Sequence, residues 1–372
     1  TKQLKKIMRN VMNWIKKKVG GLIYIAYLFI SVAILLEVIF RILPTSDSFK
    51  LKKVNIDHPI MRYEENRDVT KQIGFNFKHV NVKHVNNYGY ASDKDFQKKE
   101  LQTKPIIAVI GDSYVDAFQV KNKDTFHAIL DKGLLSHDVY PIGISGSPLS
   151  QYIAFSRYAA EQFSPRLYIF LIIKNDFDES FKKVKNAPAF HYFNETDQLT
   201  LAEYNPSIIK KIARKSAFVR YLYIDLKIKS QINRLFKNEH IPIEIQTNTS
   251  VNFLELGEEA INKFLYNIKD LTETSKVIIL LDGDRSSIYN GEMRRNINKP
   301  VNILYEKFKE LSISIQNVEI IDLHNFFLND WIENGKKFNY DYDYHWNEHG
   351  HAVAAQILLE KIKNGKLSIV QN

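Results

Sequence analysis

Residues Ile106-Ile107-Ala108-Val109-Ile110-Gly111-Asp112-Ser113 decide the fold. Consecutive apolar residues read as a strand buried on both faces, the habit of parallel sheets covered by helices. Glycine and two small polar residues then end the run, so the chain leaves the sheet tightly and starts a helix. Similar apolar runs recur at Asp138–Ile142, Leu167–Ile173, Lys276–Leu281 and Val318–Ile321. Helical stretches alternate with them at Thr125–Leu135, Ser150–Phe163, Leu254–Glu273, Pro300–Ser312 and Glu348–Lys363. This alternation predicts an α/β domain over residues 105–372, a three-layer α/β/α sandwich with a mostly parallel five-stranded sheet. Ligands of such sheets sit at the carboxyl ends of the strands.

Chemistry is therefore sought just after each strand. After the first, Ser113 offers a hydroxyl and, at a helix N-terminus, a backbone N–H that faces an anion. After the second comes Gly143-Ile144-Ser145-Gly146-Ser147-Pro148, where glycine lets the backbone approach a ligand. The third ends in Ile172-Ile173-Lys174-Asn175-Asp176. An Asn175 carboxamide there can donate to a developing oxyanion, a contact worth about 10²–10³ in rate. Far downstream, Asp343-Tyr344-His345-Trp346-Asn347 places a carboxylate two residues before an imidazole, ahead of the last helix. Ser113, His345 and Asp343 supply a nucleophile, a base and an orienting acid, the minimum for acyl transfer through a serine ester. Each segment alone is also ordinary turn chemistry.

In this order, over about residues 86–365, the segments resemble the SGNH/GDSL hydrolase superfamily. Val85-Asn86-Asn87-Tyr88-Gly89-Tyr90 looks like the lead-in of its membrane-anchored bacterial branch. The resemblance implies a flavodoxin-like SGNH fold without a cofactor. It implies that Ser113 is the nucleophile and also lends its N–H to an oxyanion hole shared with the Gly146 N–H and the Asn175 amide. His345 is then the general base and Asp343 its orienter. Asp112, Asp176, Asp341 and Arg285 stand as supporting candidates, Asp341 as a competing orienter and Arg285 as either a substrate contact or a surface ion pair. One departure matters: many members place the acid three residues before the histidine, where this chain has Tyr342. Asp-x-His-Trp looks more like a branch associated with acetylation of exported polysaccharides.

The chain has 372 residues and a formal charge of +10. Residues 1–19 alone carry +7, leaving +3 for the rest, so the basic balance argues poorly for nucleic acid. Zero cysteines exclude disulfides, thiolate metal sites and a cysteine nucleophile. From Val19 to Leu36 no residue is charged, and the apolar character continues to Leu43 before Pro44 closes it. At about 1.5 Å per residue this spans a hydrocarbon core of about 30 Å. Lysines crowd its N-terminal side, which leaves a basic tail (1–18) in the cytoplasm, a single span (19–43), and the remainder outside a bacterial cytoplasmic membrane. The run is too long for a signal peptide, and Pro44-Thr45-Ser46 is a poor cleavage site. Glu37 is expected near the outer interface, solvated.

Residues 44–104 read as a stalk and extension with short extended pieces such as Gly74–Val82 and a turn at Asn86–Gly89. Residues 178–251 read as an insertion near the active face. It holds a basic helix-like run, Ser207–Phe236, and a linker, Ile241–Ser250. Its lysines and arginines, Lys211, Arg214 and Lys215 among them, suit a solvated face, an anionic glycan or lipid headgroups. His345 and His349 have a spacing used by metal ligands on helices. However, Asn347 reads as a helix cap that puts His345 before the helix, and His349 and His351 are expected on an exposed helix face. His324 reads as structural or as lining the cleft. The functional expectation is an anchored extracytoplasmic serine esterase or O-acyltransferase acting on acylated envelope glycan, with an integral-membrane acyl donor as possible partner. An inactive glycan-binding scaffold on the same fold and a metal-dependent hydrolase are the competing readings.

Overall fold

Apolar periodicity sorts the chain into one long helix, a polar hairpin and a layered domain. The computed structural model describes residues 2–52, 54–56, 58–73, 77–195, 198–203, 207–226, 228, 252–341 and 343–364. Helix α1 (Lys2–Ile42) contains a stretch, Lys16–Ile42, long and apolar enough to cross a membrane, and most of its apolar residues are exposed, with Leu36 and Phe40 half-buried. Next comes an antiparallel hairpin, β1 (Arg67–Ile73) with β2 (His79–Val85). It begins earlier than the extended piece expected at 74–82, of which residues 74–76 lie outside the described ones. Asn86–Gly89 does turn, with Gly89 N–H donating to the Asn86 carbonyl at 3.0 Å.

The layered domain follows as β3 (Ile106–Gly111), a four-residue turn of helix α2 (Ser113–Asp116), α3 (Phe126–Gly133), β4 (Asp138–Gly143), α4 (Leu149–Phe163) and β5 (Leu167–Ile172). A smaller hairpin, β6 (His191–Phe193) with β7 (Leu199–Leu201), and short helices α5 (Ile208–Ala213) and α6 (Ala217–Arg220) come next. The linker 241–250 and residues 227 and 229–236 of the basic run lie outside the described residues. Then come α7 (Phe253–Thr274), β8 (Lys276–Leu281), α8 (Arg285–Tyr289), α9 (Pro300–Ser312), β9 (Val318–Asp322), α10 (His324–Asn334), β10 (Asn339–Tyr340), β11 (Asp343–Trp346) and α11 (Glu348–Lys363).

The five long strands form one sheet in the order β4-β3-β5-β8-β9, every pair parallel. Strand periodicity sends Ile106, Ala108 and Ile110 to one core, with α4, α7 and α9. Ile107 and Val109 face the other core, with α3, α10 and α11. This is why β3 is apolar at every position. The chain reverses its winding direction at β3, whose neighbours β4 and β5 leave on opposite sides. A crevice opens there at the carboxyl ends, and Ser113, Gly146 and Asn175 sit on the three loops that border it.

Candidate active site

Close packing behind β3 sets the position of Ser113. Val115 fills the space beside β4, and a Cβ added at Gly143 would meet Val115 Cβ at 2.6 Å, so only glycine fits. The Asp112 carboxylate accepts from the Tyr114 N–H at 3.0 Å and caps α2. Ser113 is thereby the first residue of a helical turn at the head of the strand.

Strand β11 delivers the histidine across 232 positions of sequence. His345 Nε2 lies 2.8 Å from Ser113 Oγ, and its Nδ1 lies 2.5 Å from Asp343 Oδ1. The same Asp343 oxygen accepts from the His345 backbone N–H at 2.9 Å. With Nδ1–H donated to a carboxylate, Nε2 presents its lone pair to the serine hydroxyl. Asp112 Oδ2, 3.1 Å from Ser113 Oγ, is a second acceptor for that hydroxyl. Burial pushes the Asp112 carboxyl up to about 6.

The supporting candidates divide. Asp341 is exposed and pairs with Lys337 at 2.8 Å, so Asp343 is the acid on His345. Asp176 is fully buried and accepts from Ile173 N–H and Tyr152 hydroxyl, and burial raises its carboxyl well above the usual range. It holds the end of β5 rather than facing the cleft. Arg285 is neither a surface ion pair nor a free cleft group. It pairs with Asp282 at 3.0 Å and donates to the Tyr114 hydroxyl at 2.7 Å and the Tyr344 carbonyl at 2.5 Å. The indole of buried Trp346 donates to the other oxygen of Asp282 at 3.0 Å. Both chain neighbours of His345 are thus fixed to β8 and its following loop.

A second set of contacts fixes the glycine loop. Gly146 has a φ of 81°, which favours glycine. Its carbonyl accepts from Lys185 Nζ at 2.7 Å, Lys185 pairs with Glu179 at 2.5 Å, and Glu179 accepts from Asn175 Nδ2 at 3.3 Å. Gly146 and Asn175 are therefore linked through the inserted segment. Ser145 is held by Asp116, which accepts from its N–H at 2.6 Å, its hydroxyl at 2.7 Å and the Tyr63 hydroxyl at 2.8 Å. Lys83 lies fully buried behind them, donating to the Asp116 and Ala117 carbonyls, and burial pulls its amine down to about 7. Asp116, Lys83, Tyr63, Lys185 and Glu179 carry no local motif, so sequence reading passes over them.

Among the described residues, the remaining histidines form no metal-ligating group. His349 pairs with Asp330 at 2.6 Å. His351 is buried, against the expectation of an exposed face: it stacks on Phe126 and accepts from its N–H at 3.3 Å. His324 is buried and accepts from the Asp284 N–H. A cleft of about 380 Å³ is lined by Tyr114 and Tyr344, the chain neighbours of Ser113 and His345, and by Asn175, Arg285, Tyr289 and Asn290 among others.

No family model and no curated protein matches this chain. Among solved structures it is similar to a member of the lipolytic G-D-S-L family from Veillonella parvula, at 13% identity and a TM-score of 0.38, covering 69% of this chain and 98% of that one. It is similar to an acetylxylan esterase from Geobacillus stearothermophilus at 14% identity and 0.38, covering 69% and 93%. An α/β hydrolase from the metagenome of Lake Arreo gives 13% and 0.38, covering 73% and 99%. Likeness at this level does not fix an activity; the side-chain geometry around Ser113 has to carry that.

Proposed function

We propose that this chain is a membrane-anchored serine hydrolase of the SGNH type that cleaves or transfers small acyl esters of envelope glycan outside the cytoplasmic membrane. The supporting observation is the line from Asp343 through His345 to Ser113, with contacts of 2.5 and 2.8 Å. His345 Nε2 takes the Ser113 proton as Oγ attacks the acyl carbonyl. The oxyanion is met by the Ser113 and Gly146 N–H groups and by the Asn175 amide. That amide has two hydrogens: one goes to Glu179 and orients the group, and the other serves the oxyanion. The imidazolium, stabilised by Asp343, returns its proton to the departing alkoxide, leaving an acyl-serine. Water or a sugar hydroxyl, deprotonated by His345, then attacks the ester and frees the serine.

The anchor supports a substrate held near the bilayer, and the cleft lined by Tyr114, Tyr289, Tyr344 and Asn175 supports a sugar acceptor. A fluorophosphonate probe applied to the full chain should label it covalently, with labelling and acetyl-ester turnover both lost in Ser113→Ala. Absence of labelling in the unaltered chain would favour the inactive scaffold. Mass spectrometry with an acetyl ester and oligosaccharides separates hydrolysis from transfer.

A further inference from the structure

Helix α5 leaves two isoleucines uncovered: Ile208 is 74% exposed and Ile212 is 64% exposed. Four residues apart, they share one side of the helix; exposed Lys211 borders that side, and exposed Lys215 lies in the turn that follows. The chain just after them is clamped to α1. Glu37 accepts from the Ser216 hydroxyl at 2.6 Å and from the Ala217 and Phe218 N–H groups at 3.1 Å. Arg41 donates to the Lys215 carbonyl at 3.3 Å, and Phe40 stacks on Tyr221 with ring centroids 4.3 Å apart. The Glu37 contacts replace the solvated position expected for it and tie α6 to the outward end of the apolar helix. Glu37 lies only roughly 7 Å along the axis from Ile42, the last residue of α1. The uncharged run starts at Val19, and about 20 residues from there fill a hydrocarbon core of about 30 Å, which puts this last part of α1 at the interface. Residues 215–218, which follow α5 directly, are therefore held at the level of the headgroups.

We infer that α5 is an interfacial foot. Ile208 and Ile212 enter the acyl boundary of the outer leaflet, and Lys211 and Lys215 meet anionic lipid headgroups. Its occupant is a lipid surface continuous with the bilayer that α1 crosses, and it fixes the height and tilt of the Ser113 cleft above that surface. The inference rests on the anchored reading and is independent of the catalytic one.

The absence of cysteine makes the test direct, since one introduced thiol reports one site. The full chain would carry an environment-sensitive fluorophore at Ile212→Cys, at Tyr24→Cys within the apolar helix, or at Leu135→Cys, which is 81% exposed on the layered domain. Each is reconstituted in nanodiscs of phosphatidylcholine, with or without phosphatidylglycerol, containing doxyl-labelled lipid. The expected result is quenching at Ile212 at least about threefold stronger than at Leu135. Adding Lys211→Glu with Lys215→Glu should reduce it in phosphatidylglycerol discs while Tyr24 quenching stays constant. Strong quenching at Tyr24 with none above the Leu135 level at Ile212 overturns the foot and leaves the anchor. Quenching at neither site overturns both. Quenching at Ile212 that ignores the charge reversals overturns the headgroup assignment. An Ile212 label open to water in nanodiscs but shielded in native membranes overturns the lipid surface in favour of a protein partner.

Discussion

Asp112 shows how one carboxylate is shaped by its place. It caps the turn that carries Ser113 and also reaches the serine hydroxyl, and it is fully buried. Burial raises its carboxyl from 3.8 to about 6. The folded chain therefore keeps a proton that the unfolded chain releases, and stability falls as pH rises from 3.8 to about 6. The contribution of this one group is about 3 kcal/mol over that window. Asp112→Asn keeps an acceptor for the Tyr114 N–H and removes the titration. Denaturant unfolding followed from pH 4 to 7 should show the variant gaining stability relative to the unaltered chain as pH rises. Parallel pH profiles for the two would show that this carboxylate does not titrate as described.

Strand β11 is short, and a strand of four residues paired with two cannot fix the His345 imidazole alone. Its rigidity comes from the neighbours of His345, the Tyr344 carbonyl on Arg285 and the Trp346 indole on Asp282. Arginine suits this place because one planar fork reaches Tyr114, Tyr344 and Asp282 together. Lysine keeps the charge beside Asp282 and loses the fork. Arg285→Lys should leave the protein folded and lower kcat for ester turnover by about 10–100-fold with KM little changed, because misplacing a reacting group affects the chemical step. Arg285→Ala would instead leave Asp282 buried without its cation and lower thermal stability, an effect of about 3–5 kcal/mol for a broken buried pair. If Arg285→Lys raised KM and left kcat untouched, Arg285 would be a substrate contact and not a brace. The loop of Gly146 is held by the same strategy, through Asp116 on one side and Lys185 with Glu179 on the other.

At the scale of the molecule, Glu37 joins the apolar helix to the layered domain by capping α6 from outside. Removing a helix cap costs about 1–2 kcal/mol, so in Glu37→Ala the amides of residues 216–225 should exchange with deuterium about five- to thirtyfold faster in reconstituted full chain. Unchanged exchange would mean that Phe40 and Arg41 hold the joint alone. The sequence by itself determined the five sheet strands to within a residue at each end, the helices Pro300–Ser312 and Glu348–Lys363, and the apolar span, because local runs of side chains encode them. It also marked Ser113, His345 and Asp343, since a strand-end serine and an Asp-x-His are short patterns. The hairpin Arg67–Val85 showed only as an extended piece at Gly74–Val82 because its strands are polar and half-buried, and His324–Asn334 escaped because its apolar residues do not keep a clean helical period. Only the tertiary structure decided the partners: Asp343 over Asp341 on His345, Arg285 on Tyr344, His351 in the core, Glu37 on Ser216. Apart from the pairing of Asp343 with His345, those contacts join residues 59 to 225 positions apart, and side-chain pairing at such separation is set by which surfaces the packed layers bring together, which no local pattern records.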